Sequence, residues 1–182
     1  MTRLDDLQQQ ARRWWDDDPQ LLQAVRDEIA SAGFELDWDE PTGCLVGELP
    51  RWPLERPEPD GLMDLLPEPM RCSVNLRPTF PMLFPLICPL HPDVPKDRWT
   101  QHRWHVNGNG TLCLLQSDDA WDPRTPVSDL LRKAAAWYVE YRLVEVGVAE
   151  ECSLRGIVSD DGRDGLVREA VTALAAAAGA GP

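Results

Sequence analysis

Trp104-His105-Val106-Asn107-Gly108-Asn109-Gly110-Thr111-Leu112-Cys113-Leu114-Leu115, followed by Trp121-Asp122-Pro123, is the stretch that decides how this chain is read. A cysteine follows a glycine-bearing turn, with a histidine eight residues upstream and a tryptophan eight residues downstream. Alternating asparagine and glycine from Asn107 to Gly110 favours turn backbone over helix or strand. Such a pattern suits a nucleophile on an irregular loop that a macromolecule can reach. Cysteine needs less activation than serine, because a few per cent is already thiolate near neutrality. Chemistry at Cys113 would then demand positioning more than a strong base.

Around this loop the hydrophobic period changes. Leu4, Leu7, Ala11, Trp14 and Trp15 recur at helical spacing. Asp18-Pro19 reads as a cap and a first helical position, opening a second helix over Gln20 to Ala32 that Gly33 closes. From Phe34 the period is two: Phe34, Leu36 and Trp38 alternate with polar residues, Pro41-Thr42-Gly43 turns, and Cys44 to Leu49 returns as a hairpin. Six prolines (Pro50, Pro53, Pro57, Pro59, Pro67, Pro69) predict an excursion that holds neither helix nor strand. Met70 to Leu76 and Phe84 to Leu90 read as third and fourth strands. Residues 91–112 show no helix or strand pattern; Trp99, Trp104, Gly108 and Gly110 favour an ordered functional loop there.

Beyond Pro126, with Thr125 or Ser128 as cap, an apolar stripe runs through Val127, Leu130, Leu131, Ala134, Ala135, Tyr138, Val139, Leu143 and Val146. A polar Gly/Asp loop follows Cys152, then an alanine-rich helix over Leu166 to Ala178. Helix, antiparallel strands, long loop and helices in that order predict an α+β fold.

Composition narrows the function. A net charge of −13 over 182 residues opposes a nucleic-acid surface and leaves room for a basic protein partner, although acidic charge also serves solubility. No run of eighteen apolar residues occurs and the N-terminus has no apolar leader core, so no membrane span is expected and the cytoplasm is the expected compartment. Five cysteines, an odd number without a CxxC pair, argue against a disulfide framework or a zinc site. Cys44, Cys72, Cys88 and Cys152 are expected to be inert apolar residues. Cys113 alone is assigned chemistry.

Asn109-Gly110, Cys113-Leu114 and Trp121-Asp122-Pro123 together resemble the active-site segment of the ubiquitin-conjugating enzyme family. There an Asn-Gly pair precedes the cysteine and Trp-x-Pro begins eight residues after it. Ser128 and Leu131 match the family's next helix, and Leu76-Arg77-Pro78-Thr79-Phe80-Pro81 with Phe84-Pro85 resembles its Tyr-Pro-x-x-x-Pro segment. The resemblance covers residues 34–145, with 1–32 as the family's leading helix. It implies a ubiquitin-conjugating-enzyme-like fold with an N-terminal helix, an antiparallel strand meander, an active-site loop and C-terminal helices. Residues 1–150 would be the catalytic domain and 151–182 a helical extension.

The resemblance also implies a role for Cys113 as the acceptor of an activated ubiquitin-like modifier, carried as a thioester and passed to an amine. The family's His-Pro-Asn motif is missing. Aligned without a gap, Arg103-Trp104-His105 replaces it, and His105 takes the place of the family asparagine. Read as a shortened motif, Asn107 takes it instead. An imidazole could donate to the developing oxyanion, accept the proton of the incoming amine, or brace the loop. Asp118 and Asp119 stand where carboxylates would attract an ammonium, or are a solvated turn. No cofactor is implied, because ATP would be consumed by the partner activating enzyme. The expected partners are that enzyme, a ubiquitin-like modifier or a nucleotide cyclase, and a target protein.

The long proline-rich excursion and the extra C-terminal helix make the chain look like the divergent prokaryotic branch, encoded in anti-phage defence operons. Two other readings stand beside this one. The first is a non-catalytic binding module of the same fold, and the second a cysteine hydrolase with a Cys113–His105 dyad.

Overall fold

The computed structural model describes residues 13–115, 121–153, 156–159 and 161–179. A single helical turn, α1 (Trp14–Asp17), leads into α2 (Pro19–Ser31). The expected cap is present. The Asp18 carboxylate accepts from Leu21 N–H at 3.0 Å, and Pro19 occupies the first helical position, where a missing N–H costs nothing. Gly33, at φ 85°, reverses the chain after α2. The rest of the predicted leading helix, before Arg13, lies outside the described residues.

Four strands follow: β1 (Glu35–Asp39), β2 (Cys44–Leu49), β3 (Met70–Asn75) and β4 (Leu86–His91). They form one antiparallel sheet in sequence order. Period-two burial is clearest in β3, where Met70, Cys72 and Val74 are buried and Arg71 and Asn75 exposed. In the β1–β2 turn, Gly43 lies so close to Trp15 that a Cβ would come within 2.2 Å of the indole. Glu40 in the same turn collects indole N–H groups from Trp15 at 3.2 Å and Trp38 at 2.7 Å. Pro89 sits in β4 opposite Cys72, beside a register shift; β4 is an edge strand, where proline is tolerated.

Three sequence expectations need correction. The proline-rich excursion does hold a helical turn, α3 (Leu62–Leu65), inside the proline-free window between Pro59 and Pro67. Burial, not propensity, stabilises it: Leu62, Leu65 and Leu66 are all sealed in the core. Residues 91–112 contain a 3₁₀ turn (Lys96–Arg98) and a helical turn, α4 (Gln101–Trp104). The polar segment after Cys152 likewise holds α6 (Gly156–Ser159) and a 3₁₀ turn (Asp161–Arg163), which leads into α7 (Asp164–Gly179).

The long helix α5 (Val127–Glu145) starts where predicted, but neither Thr125 nor Ser128 caps it. Glu28 of α2 does so from across the molecule, its Oε2 accepting from Val127 N at 3.1 Å and Ser128 N at 3.4 Å. A carboxylate there also complements the positive end of the helix. The side chains of sheet, α5, α6 and α7 join one core, from Val25 to Ala170. Arg56 of the excursion ties down the C-terminal segment, donating to both carboxylate oxygens of Asp164 at 2.7 and 2.8 Å and to Ile157 O at 2.6 Å. Among the described residues no helix is long and apolar enough to cross a membrane.

Candidate active site

The segment from His105 to Cys113 is a short hairpin set against the edge of the sheet. His105 ends α4 in left-handed backbone, φ 51° and ψ 40°, which turns the chain back. For a non-glycine residue this costs on the order of 1–2 kcal/mol, so the surroundings must hold it. They do so by hydrogen bonds across the hairpin. Cys113 N–H donates to His105 O at 2.8 Å, Val106 bridges Leu112, Asn107 N–H donates to Thr111 O at 2.7 Å, and Gly110 N–H to Asn107 O at 2.8 Å. Leu112 N–H donates to Ile87 O of β4 at 2.8 Å, docking the hairpin on the edge strand.

Side chains reinforce the same turn. The Asn107 amide donates to Thr111 Oγ1 at 3.0 Å and to Leu112 O at 3.2 Å, while its oxygen accepts from Gln101 Nε2 at 2.7 Å. Asn109 Oδ1 accepts from both the N–H and the hydroxyl of Thr111. Both hydrogens of the Asn107 amide are thus engaged inside the loop. Gly110, at φ 83°, lies under Trp99, whose ring a Cβ would approach to 3.0 Å. Bracing therefore falls to Asn107 and to the backbone carbonyl of His105.

Cys113 emerges half-buried at the foot of this hairpin, its Sγ 3.7 Å from Leu115 O. Cys44 and Cys88 are half-buried like Cys113. Cys72 and Cys152 are buried, and burial pushes each thiol up to about 12. Burial also raises the Cys88 thiol. Partial burial holds the His105 imidazole below the ordinary histidine value; Glu151 opposes that shift, and Arg163 and His102 add to it. Burial thus favours the neutral ring, which can accept a proton or donate one ring N–H.

Downstream, Trp121 is buried and its indole N–H donates to Pro81 O at 2.8 Å, pinning the chain beyond Cys113 to the loop between β3 and β4. Asp122 O accepts from Thr125 N at 2.8 Å, closing the turn into α5. The shaping role read for Trp121 thus has a specific partner. Asp118 and Asp119, the proposed carboxylates for an incoming ammonium, lie outside the described residues. No group of three or more metal-ligating side chains occurs among the described residues.

No protein-family model, curated protein or solved structure matches this chain.

Several residues near the site were not read from the sequence. Gln101 and Thr111 complete the Asn107 network. Cys152 N–H donates to Arg103 O at 2.9 Å, and Trp137 Nε1 donates to Trp104 O at 2.7 Å, so two otherwise orphaned carbonyls at the end of α4 are satisfied. His102 Nδ1 lies 3.1 Å from Glu151 Oε2. One sequence signal was available: Ala136, Trp137, Glu140 and Val144 form a second face of α5 at helical spacing, which marks a helix covered on both sides.

Proposed function

We propose that this chain is a ubiquitin-conjugating-type transferase, with Cys113 as the acyl carrier. The observation that supports this most is the contrast between Cys113, half-buried in a turn braced by His105 and Asn107, and the sealed thiols of Cys72 and Cys152. The order of helix, four-stranded antiparallel meander, loop and long helix is compatible with the ubiquitin-conjugating-enzyme-like fold.

In the first step the Cys113 thiolate attacks the carbonyl carbon of a glycine activated on a partner enzyme at the expense of ATP. The new C–S bond replaces the partner's, and the partner thiol leaves as thiolate. In the second step an amine nitrogen attacks that carbonyl, the C–N bond forms, and the C–S bond to Cys113 breaks. The surplus proton of the amine passes to neutral His105 or to water, and His105 N–H can alternatively stabilise the oxyanion. The modifier is a ubiquitin-like protein or the C-terminus of another protein such as a nucleotide cyclase, in a bacterial defence setting. The acceptor is an amine on a target protein.

Incubation with the partner activating enzyme, ATP and modifier tests this. A reducible adduct should form, vanish in Cys113→Ala and persist in Cys152→Ala, and Cys113→Lys should give an adduct that resists reduction. An adduct that survives Cys113→Ala would overturn the assignment. Loss of the developing-charge donor in His105→Ala should slow discharge by ~10²-fold.

A further inference from the structure

Glu140 lies on the second face of α5, only 2% exposed, among residues that would favour an apolar side chain. Burying a carboxylate is costly unless its oxygens are satisfied. Its Oε2 accepts from Ser153 N–H at 2.8 Å, whereas Oε1 has no hydrogen-bond partner among the described residues and faces Arg163 Nη1 at 3.8 Å. The same guanidinium nitrogen donates to Glu151 O at 3.2 Å. Glu140 and Arg163 thus hold residues 151–153 from two sides.

That strap is joined directly to the candidate site. Cys152 N–H, between the two held residues, donates to Arg103 O of α4. Two residues on, His105 adopts its left-handed turn, and its carbonyl receives Cys113 N–H. A continuous path of hydrogen bonds and short backbone segments therefore leads from a sealed carboxylate to the backbone of the proposed acyl carrier. Burial raises the Glu140 carboxyl above the usual carboxylate range, against the pull of the Ser153 amide and Arg163. Nothing in the two transfer steps uses this group, and a leucine in its place would leave the Ser153 N–H without its acceptor.

We propose that Glu140 is a positioning residue for Cys113, acting through the 151–153 strap and the end of α4. The inference rests on the reading of Cys113 as the acyl carrier. It makes the C-terminal segment part of the working site.

The test uses the full chain and a mercaptoethanesulfonate thioester of a short peptide ending in Gly-Gly. Thiol–thioester exchange loads Cys113 and releases mercaptoethanesulfonate, and free lysine then discharges the peptide as an amide. Glu140→Leu and Arg163→Met should each lower the maximal discharge rate about tenfold or more with the KM for lysine unchanged, as expected for a misplaced reacting atom. Glu140→Gln keeps an acceptor for Ser153 N–H and should restore the rate to within about twofold of wild type. Alkylation of Cys113 by iodoacetamide, followed by mass spectrometry, should shift in Glu140→Leu and Arg163→Met and not in Glu140→Gln.

Wild-type discharge and alkylation rates in both Glu140→Leu and Arg163→Met would overturn the positioning role while leaving the carrier reading intact. So would an equal loss in Glu140→Gln. Failure of the wild-type chain to discharge to lysine would overturn the carrier reading, and the alkylation rates would still decide whether Glu140 acts on Cys113. Should Glu140→Leu fail to fold, Arg163→Met, whose side chain is 21% exposed, carries the same test.

Discussion

Cys113 and Cys152 hang from the same short helix by the same kind of bond. The first donates its backbone N–H to His105 O at 2.8 Å, the second to Arg103 O at 2.9 Å. From there their fates divide. Cys152 is 2% exposed, and burial beside Glu140 pushes its thiol up to about 12. Cys113 stands half-buried at the end of a hairpin. Equivalent backbone anchoring thus produces one structural thiol and one candidate nucleophile, and water, not geometry of attachment, makes the difference.

The largest expected effect lies in the reactivity of the two thiols. Iodoacetamide should alkylate Cys113 at least about a hundredfold faster than Cys152 in the folded chain, since only the thiolate reacts. Site-resolved mass spectrometry over a time course checks it, and comparable rates would remove the distinction.

A smaller effect is expected from loosening the hairpin. Asn107→Ala deletes three hydrogen bonds in and around the turn and should cost about 1–3 kcal/mol, read as a lower melting temperature, because Thr111 and Leu112 lose partners in a largely buried setting. The same variant should slow discharge from Cys113 while leaving Cys152 unreactive. An unchanged melting temperature would mean the turn is held by its backbone alone.

How much of this was legible in the sequence follows from which forces are local. Asp18-Pro19, the turn at Gly43 and the alternation of Met70, Cys72 and Val74 are all set within a few residues, and each element lies where its pattern places it. The cap of α5 was not legible because Glu28 supplies it from about a hundred residues away. Nor was α3, whose two leucines, with Leu66 just beyond them, are held by the fold and not by helix propensity. At the site, the Asn-Gly turn and Cys113 were visible as local chemistry. The partners of α4 were not, since Cys152 and Trp137 reach it only after the chain has wrapped around α5. Glu140 carried a weak trace, as a lone acid on a second apolar face.

The smallest predicted effect concerns that acid. Its folded value is raised above the ordinary 4.5, so the protonated form is favoured by folding. The stabilising contribution is present below that ordinary value and is lost as pH rises through the folded one. Wild type should therefore lose stability relative to Glu140→Gln as pH climbs from 4.5 toward neutrality, a trend that urea midpoints across that range would reveal. Parallel pH profiles would mean that Arg163 and the Ser153 amide already offset the cost of burial.

The most direct test of the central claim is the fate of an acyl group on Cys113. Loaded with the Gly-Gly peptide thioester and offered lysine in water, the chain should yield the peptide amide of lysine in excess over free peptide acid, with the intermediate mass located on Cys113. Predominant hydrolysis would identify a cysteine hydrolase, and no acyl adduct on Cys113 at all would contradict the account at its root.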